Sequence, residues 1–222
     1  MYSPTMTDSR LLKKDLFGEI RLIVTADEPY IIRDSSAASD WIRWLARYLL
    51  RREARALAAL GNLEGVPHIQ RIERDRLTRG YLPGAPMHHA KPRDPAYFRA
   101  AARLLRRLHR VGVVHNDLAK EPNLLVDENG SPAIIDFQLA WYAPKRGRWF
   151  RLLAYEDLRH LLKHKRSYCP RYLTQRERSI LNNPSLPSRI FMSTVKPAYM
   201  FVTRRLLGWS DREGAADRGD RS

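Results

Sequence analysis

At 222 residues the chain is long enough to bury a full core, which argues for one domain or one two-lobed unit. Its 44% hydrophobic and 29% charged residues exclude a disordered chain, and Cys169, the only cysteine, excludes an internal disulfide and a thiolate-cluster zinc site. The net charge is +16, and residues 141–222 alone carry 18 basic and 7 acidic groups, a surface that would attract an acidic headgroup, a phosphorylated glycan or a nucleic acid.

Residues 1–14 read as a polar arm, and MYSPTMTDSRLLKK lacks the charged-then-apolar design of a secretion signal. No segment approaches the roughly 20 uninterrupted apolar residues of a membrane span, so a cytoplasmic location is expected. GEIRLIV (18–24) and EPYIIRD (28–34) are β-type runs joined by a short turn, a predicted hairpin. From Ser39 to Leu60 the apolar residues recur at helical spacing, with Ser39 as the expected N-cap and Gly61 as the stop. Glu53 lies four residues after Leu49 and four before Leu57, on the apolar face, where a carboxylate needs a partner. VPHIQRI and DRLTRGYL are further strands, ended by Pro83-Gly84. Residues 15–83 would thus form a small sheet carrying one long helix, 39–60.

The second unit, 84–210, opens with Asp94-Pro95, a cap followed by proline at the first helical position, and runs as a helix to about Arg110. NLLV and AIIDF are strands around the turn DENGSP. A helix is predicted from about Tyr155 to Lys165, and another from Thr174, whose Thr-Gln-Arg-Glu is a capping-box pattern. Residues 211–222 read as a disordered tail.

Between these elements lies HNDLAKEPNLLV followed by IIDF. Phosphoryl transfer needs a carboxylate that orients an attacking hydroxyl and accepts its proton, and oxygen ligands that hold Mg²⁺ against phosphates. Asp117, Asn123 and Asp136 supply both in that order. Singly each is ordinary turn chemistry; together they resemble the protein-kinase-like fold, whose loop reads His-Arg-Asp then Asn and whose metal site is Asp-Phe-Gly. The resemblance implies an α+β, two-lobed fold with a small β-rich N-lobe and a reduced, mainly helical C-lobe, using ATP with Mg²⁺, or Mn²⁺ in its place. By that resemblance Asp117 is the catalytic base, Asn123 and Asp136 are metal ligands, His115 is a structural member of the loop and Phe137 a packing residue. Lys120 would supply a cation to the transferred phosphate. Arg33 stands where these kinases carry lysine, with Glu53 as its helix partner. Thr78, Gly80 and Tyr81, in TRGYLPG, fall in the segment that joins the lobes and meets adenine, and Asp157 is placed to brace the catalytic loop, 115–123.

Four departures qualify the resemblance. Asp117 and Asn123 are one residue further apart than in ordinary protein kinases, so LAKEP must bulge. Gln138 replaces the glycine of the metal motif, 136–138. Gly18 stands alone where a glycine-rich loop is expected, and Arg33 replaces lysine, a non-conservative exchange where phosphates are positioned. Only 20 residues separate Asp136 from Asp157, too few for a long activation loop. This minimal layout resembles the RIO kinases and, more closely, the bacterial lipopolysaccharide core kinases. The expected activity is transfer of the γ-phosphate to a hydroxyl, on a sugar of lipopolysaccharide or another anionic membrane glycolipid. The alternatives are a RIO-like serine/threonine kinase acting on a protein acceptor, and a nucleotide-binding pseudokinase scaffold. DWIRWLARYLLRR (40–52) and KPAYMFVTRRLLGW (196–209) mix aromatics with arginine as peripheral contacts with the inner membrane do; each reads equally as a helix packed on the core with its arginines outside. Plain nucleic-acid binding would fit the charge but leaves the order of Asp117, Asn123 and Asp136 unexplained.

Overall fold

The computed structural model describes residues 8–26 and 28–183. The segments 196–209 and 211–222 lie outside the described residues. The chain begins with five strands and one helix: β1 (Asp8–Asp15), β2 (Gly18–Val24), β3 (Tyr30–Asp34), α1 (Arg43–Leu60), β4 (Ile69–Ile72) and β5 (Arg76–Gly80). The strands form one antiparallel sheet in the order β1-β2-β3-β5-β4. β1 starts at Asp8, inside the segment read as a polar arm. It has almost no apolar alternation to reveal it, because every one of its side chains except that of Asp15 is exposed, and pairing with β2 defines it instead.

The hairpin of β2 and β3 follows the predicted runs, closed by the Thr25 hydroxyl, which donates to the Glu28 carbonyl at 2.8 Å. Helix α1 is shorter than the pattern suggests. Ser39 does not cap it by its side chain; Ile42 is the N-cap, and the Ile42 amide donates to the Ser39 carbonyl at 3.0 Å. Ala38 and Ile42 are both buried, so packing fixes the turn before the helix and delays its start. The buried face of α1 runs Ala46, Leu50, Glu53, Leu57 and Leu60, a helical repeat with one carboxylate in it.

After the linker come β6 (Ala85–Pro86), the short α2 (Met87–Ala90), α3 (Pro95–Val111), β7 (Val113–Val114), β8 (Leu124–Val126), β9 (Pro132–Ile134), β10 (Trp141–Tyr142), α4 (Arg148–Tyr168) and α5 (Gln175–Asn182). Asp94 caps α3 by accepting from the Ala96 amide at 2.7 Å, with Pro95 at the first turn. Thr174 and Glu177 close a reciprocal capping box on α5, the Thr174 amide donating to Glu177 and the Glu177 amide to the Thr174 hydroxyl. Helix α4 begins seven residues before the predicted Tyr155, because Gly147 starts it and Phe150 already packs inward. A single apolar core joins α1, α3 and α4, containing Leu50, Leu57, Leu105, Leu108, Leu118, Phe137 and Leu161. Leu118 and Phe137 lie in the two loops that carry the acidic groups, so the core itself fixes both loops. No helix among the described residues is long and apolar enough to cross a membrane.

Candidate active site

The catalytic-loop segment hangs from Asp157. This carboxylate, buried on α4, accepts from the amides of His115 at 2.7 Å and Asn116 at 2.9 Å and lies 3.2 Å from His109 Nε2. Two backbone donors and an imidazole meet the hydrogen-bonding demand that a buried carboxylate must satisfy. The His115 ring adds a second tie: Nδ1 accepts from the Asp117 amide at 3.3 Å, and Nε2 donates to the Ile135 carbonyl at 2.9 Å. That pattern fixes the neutral Nε2–H tautomer. Because Ile135 precedes Asp136, one imidazole links the loop of Asp117 to the loop of Asp136. Phe137 meets the same ring edge-on, with centroids 4.8 Å apart.

Asp117, Lys120 and Asn123 converge. Asn123 Nδ2 donates to the Asp117 carbonyl at 2.9 Å and to its Oδ2 at 3.0 Å, and Lys120 Nζ lies 3.0 Å from the same Oδ2. The extra residue between Asp117 and Asn123 is absorbed by a 3-10 turn, Glu121–Asn123, with Pro122 in its middle. Glu121 is held by the Tyr168 hydroxyl at 2.6 Å. Spending both Asn123 amide protons on Asp117 turns its Oδ1 into the atom left to accept or to ligate. Asp136 is half-buried and makes no hydrogen bond or ion pair among the described residues; its φ is +64°, a left-handed conformation that aspartate tolerates better than most residues. A carboxylate and an amide oxygen left open in this way are hard oxygen donors, and they fit Mg²⁺.

Arg33 and Glu53 form a buried pair: Arg33 Nη1 donates to Glu53 Oε2 at 2.8 Å, with the two residues 4% and 1% exposed. Arginine therefore reaches the helix carboxylate that the resemblance assigns to lysine. A second cation, Arg79, places Nε 3.3 Å from Glu53 Oε1, in ion-pair range but not aligned as a hydrogen bond. Sequence reading missed Arg79, because only the pairing of Arg79 with Ile31 across β3 and β5 shows that it shares a sheet face with Arg33. Arg52 was missed as well. Its guanidinium donates to the Ala140 and Leu139 carbonyls at 2.6 and 2.8 Å, tying α1 to the segment after Asp136.

Thr78 and Gly80 are strand residues of β5, and Tyr81 begins the linker. The Gly80 amide is used by the His68 carbonyl at 2.9 Å and the Tyr81 amide by that of Pro29 at 3.3 Å. The turn of β1 and β2 stands over Arg33: Lys13, Asp15, Phe17, Gly18, Glu19, Ile20, Arg33 and Gln138 line one small cleft. Gln138, two residues after Asp136, thus shares a cleft with this hairpin. Gly18 adopts φ +123°, and a Cβ there would sit 2.1 Å from the Asp34 carbonyl oxygen. Gly18→Ala should therefore lower stability by more than about 1 kcal/mol in denaturant titration, while alanine at Gly130, where a Cβ meets nothing, should cost less.

Burial pushes the His160 imidazole down to about 4, with Lys163 adding to the effect, and also lowers His164, whose Nε2 donates to the Leu118 carbonyl at 2.8 Å. Both are neutral in the folded chain at pH 7, whereas unfolded histidine protonates near 6.5. The unfolded state then binds more protons between those values, so stability is complete above about pH 6.5 and falls as pH drops toward 4. Thermal melts from pH 7 to 4.5 should show that decline, and His160→Gln should make it shallower. A slope unchanged in His160→Gln would refute the assignment.

Residues 38–144 match the phosphotransferase enzyme family APH. The chain is 32% identical over 133 residues to the serine/threonine-protein kinase ppk34 of Schizosaccharomyces pombe, an alignment covering 51% of this chain and 37% of that one. Among solved structures it superposes on the Rio2 kinase from Chaetomium thermophilum with a TM-score of 0.59 at 16% identity, covering 76% of this chain and 59% of that kinase. The chain thus spans less than two thirds of the length of each relative. The antiparallel sheet, the Glu53-bearing helix and the helical unit that follows them share the fold of the Rio2 kinase.

Proposed function

We propose that the chain transfers a phosphoryl group from Mg·ATP to a hydroxyl. The observation that carries this reading is the convergence of Asp117, Lys120 and Asn123 near Asp136, which has no partner among the described residues. Asn123 Oδ1 and the Asp136 carboxylate would hold Mg²⁺, which neutralises phosphate charge when bound. Arg33 gives one nitrogen to Glu53, and the rest of its fork is left for phosphate oxygens under the hairpin turn. Asp117 orients the acceptor hydroxyl and takes its proton as the oxygen bonds to phosphorus and the bond to ADP breaks. Lys120 offsets the charge gathered at Asp117. Thr78, Gly80 and Tyr81 border the adenine side; because the Gly80 and Tyr81 amides are already used, Leu82 is the nearest linker residue whose N–H makes no hydrogen bond among the described residues.

The favoured acceptor is a sugar of a membrane glycolipid such as lipopolysaccharide, supported by the basic charge and by the exposed Trp41 and Trp44 at the start of α1. A peripheral position on the cytoplasmic face of a bacterial inner membrane goes with it. Protein serine or threonine is the second reading, supported by the likeness to a serine/threonine-protein kinase. Incubation with Mg·ATP and separate fractions of envelope lipid, small sugars and soluble protein, followed by mass spectrometry, decides between them. A gain of about 80 Da in lipid supports the first and in protein the second; nucleotide binding with no product in any fraction overturns catalysis in favour of a scaffold.

A further inference from the structure

Along α1 the exposed side chains do not follow the usual scatter of charges. Trp41, in the turn that leads into the helix, and Trp44 and Tyr48 on it are 62%, 68% and 53% exposed, and Arg51 and Arg55 continue the same exposed line. The intervals are three, four, three and four residues, the spacing that puts side chains on one helical face. From Trp41 to Arg55 that face extends about 21 Å at 1.5 Å per residue. Two neighbouring arginines are committed inside the protein: Arg47 pairs with Asp75, and Arg43 with Asp40 at 2.6 Å and with the Ala38 carbonyl. Arg51 and Arg55, in contrast, make no ion pair or hydrogen bond among the described residues.

We propose that this ridge is a docking surface for an anionic lipid bilayer. Three large aromatics left in water cost apolar hydration that packing in the fold would have removed. Tryptophan and tyrosine suit a bilayer interface, where an apolar ring enters the acyl boundary and a polar edge stays wet. The two open guanidiniums then face headgroup phosphates, each contributing electrostatic attraction that salt screens. The aromatics lie in line on the outer face of one helix, which matches a flat, deformable surface; single-stranded nucleic acid is gripped in grooves that follow its backbone. Docking here would set α1, and with it Glu53, beside the membrane. It deepens the glycolipid reading by naming the face turned to the acceptor's membrane, but does not require phosphotransfer to occur.

The test is sedimentation of the full chain with vesicles of phosphatidylcholine alone or mixed with phosphatidylglycerol, without nucleotide. Binding to the mixed vesicles is expected, reduced steeply toward about 1 M salt, where the screening length is about 3 Å. Trp41→Ala/Trp44→Ala/Tyr48→Ala should weaken that binding at least tenfold, and Arg51→Gln/Arg55→Gln should weaken it and flatten the salt dependence. Circular dichroism melts matching the parent confirm that these surface changes leave the fold intact. Vesicle binding unchanged in both variants overturns the proposal and assigns binding to basic residues elsewhere. Failure of the parent to bind mixed vesicles, or capture of a single-stranded oligonucleotide in their place, overturns it equally. None of these outcomes touches the phosphotransfer reading, which is measured with soluble acceptors.

Discussion

Glu53→Leu should lower unfolding free energy by about 3–5 kcal/mol. Charge accounting gives the reason. Arg33 and Arg79 both point at Glu53 from a site where all three residues are at least nine-tenths buried. Removing the carboxylate leaves two guanidiniums facing each other with no counter-charge, which is far worse than the loss of the pair itself. Arg79→Met, by comparison, leaves a balanced Arg33–Glu53 pair and preserves most of the buried side-chain volume, so its cost should stay below about 1.5 kcal/mol. Urea denaturation of the two variants supplies the comparison. Equal losses would mean that Arg79 carries as much of the cluster as Glu53 does and would sink the accounting.

That cluster also shows what the sequence could and could not disclose. Glu53 was legible because a carboxylate at an apolar helix position demands a partner, and Arg33 because it ends a strand in the place of a lysine. Arg79 was not, because DRLTRGYL reads as a strand without saying which strand lies beside it, and only the pairing of β3 with β5 sets Arg79 on the same face as Arg33. The acidic order of Asp117, Asn123 and Asp136 was fully visible, but the manner in which the longer loop still brings Asn123 back to Asp117 was not. A 3-10 turn that contains Pro122 and is anchored through Glu121 to Tyr168, 47 residues away, is a tertiary event. The same holds for β1, which has no buried face and exists through its ladder with β2. Asp157 needed only its position: one residue on a long helix, aimed back at the loop that precedes it. The role assigned to the exposed aromatics of α1 turned on burial alone, because Trp41, Trp44 and Tyr48 at helical spacing are compatible with a core face until the fold leaves them outside.

Asp117→Asn should reduce phosphotransfer by roughly 10² to 10⁴-fold, the range by which a positioned acid or base contributes, with little change in the KM for ATP. An asparagine there still accepts from the Asn123 amide but cannot take up the acceptor proton, and it loses the charge that holds Lys120 at 3.0 Å. The fold should survive: the loop backbone is carried by the amides of His115 and Asn116 on Asp157 and by the Leu118 carbonyl on His164, none of which involves the Asp117 carboxylate. Asp136→Asn should fail differently, because the weaker ligand shifts the Mg²⁺ dependence to higher concentration as well as lowering turnover. Steady-state rates at several Mg²⁺ concentrations separate the two variants. If Asp117→Asn loses turnover and Asp136→Asn loses metal response, the two loops divide proton transfer from phosphate neutralisation. Parent-like turnover in Asp117→Asn would remove the general base from the scheme and leave the chain's contribution to positioning by Arg33, Asn123 and Asp136.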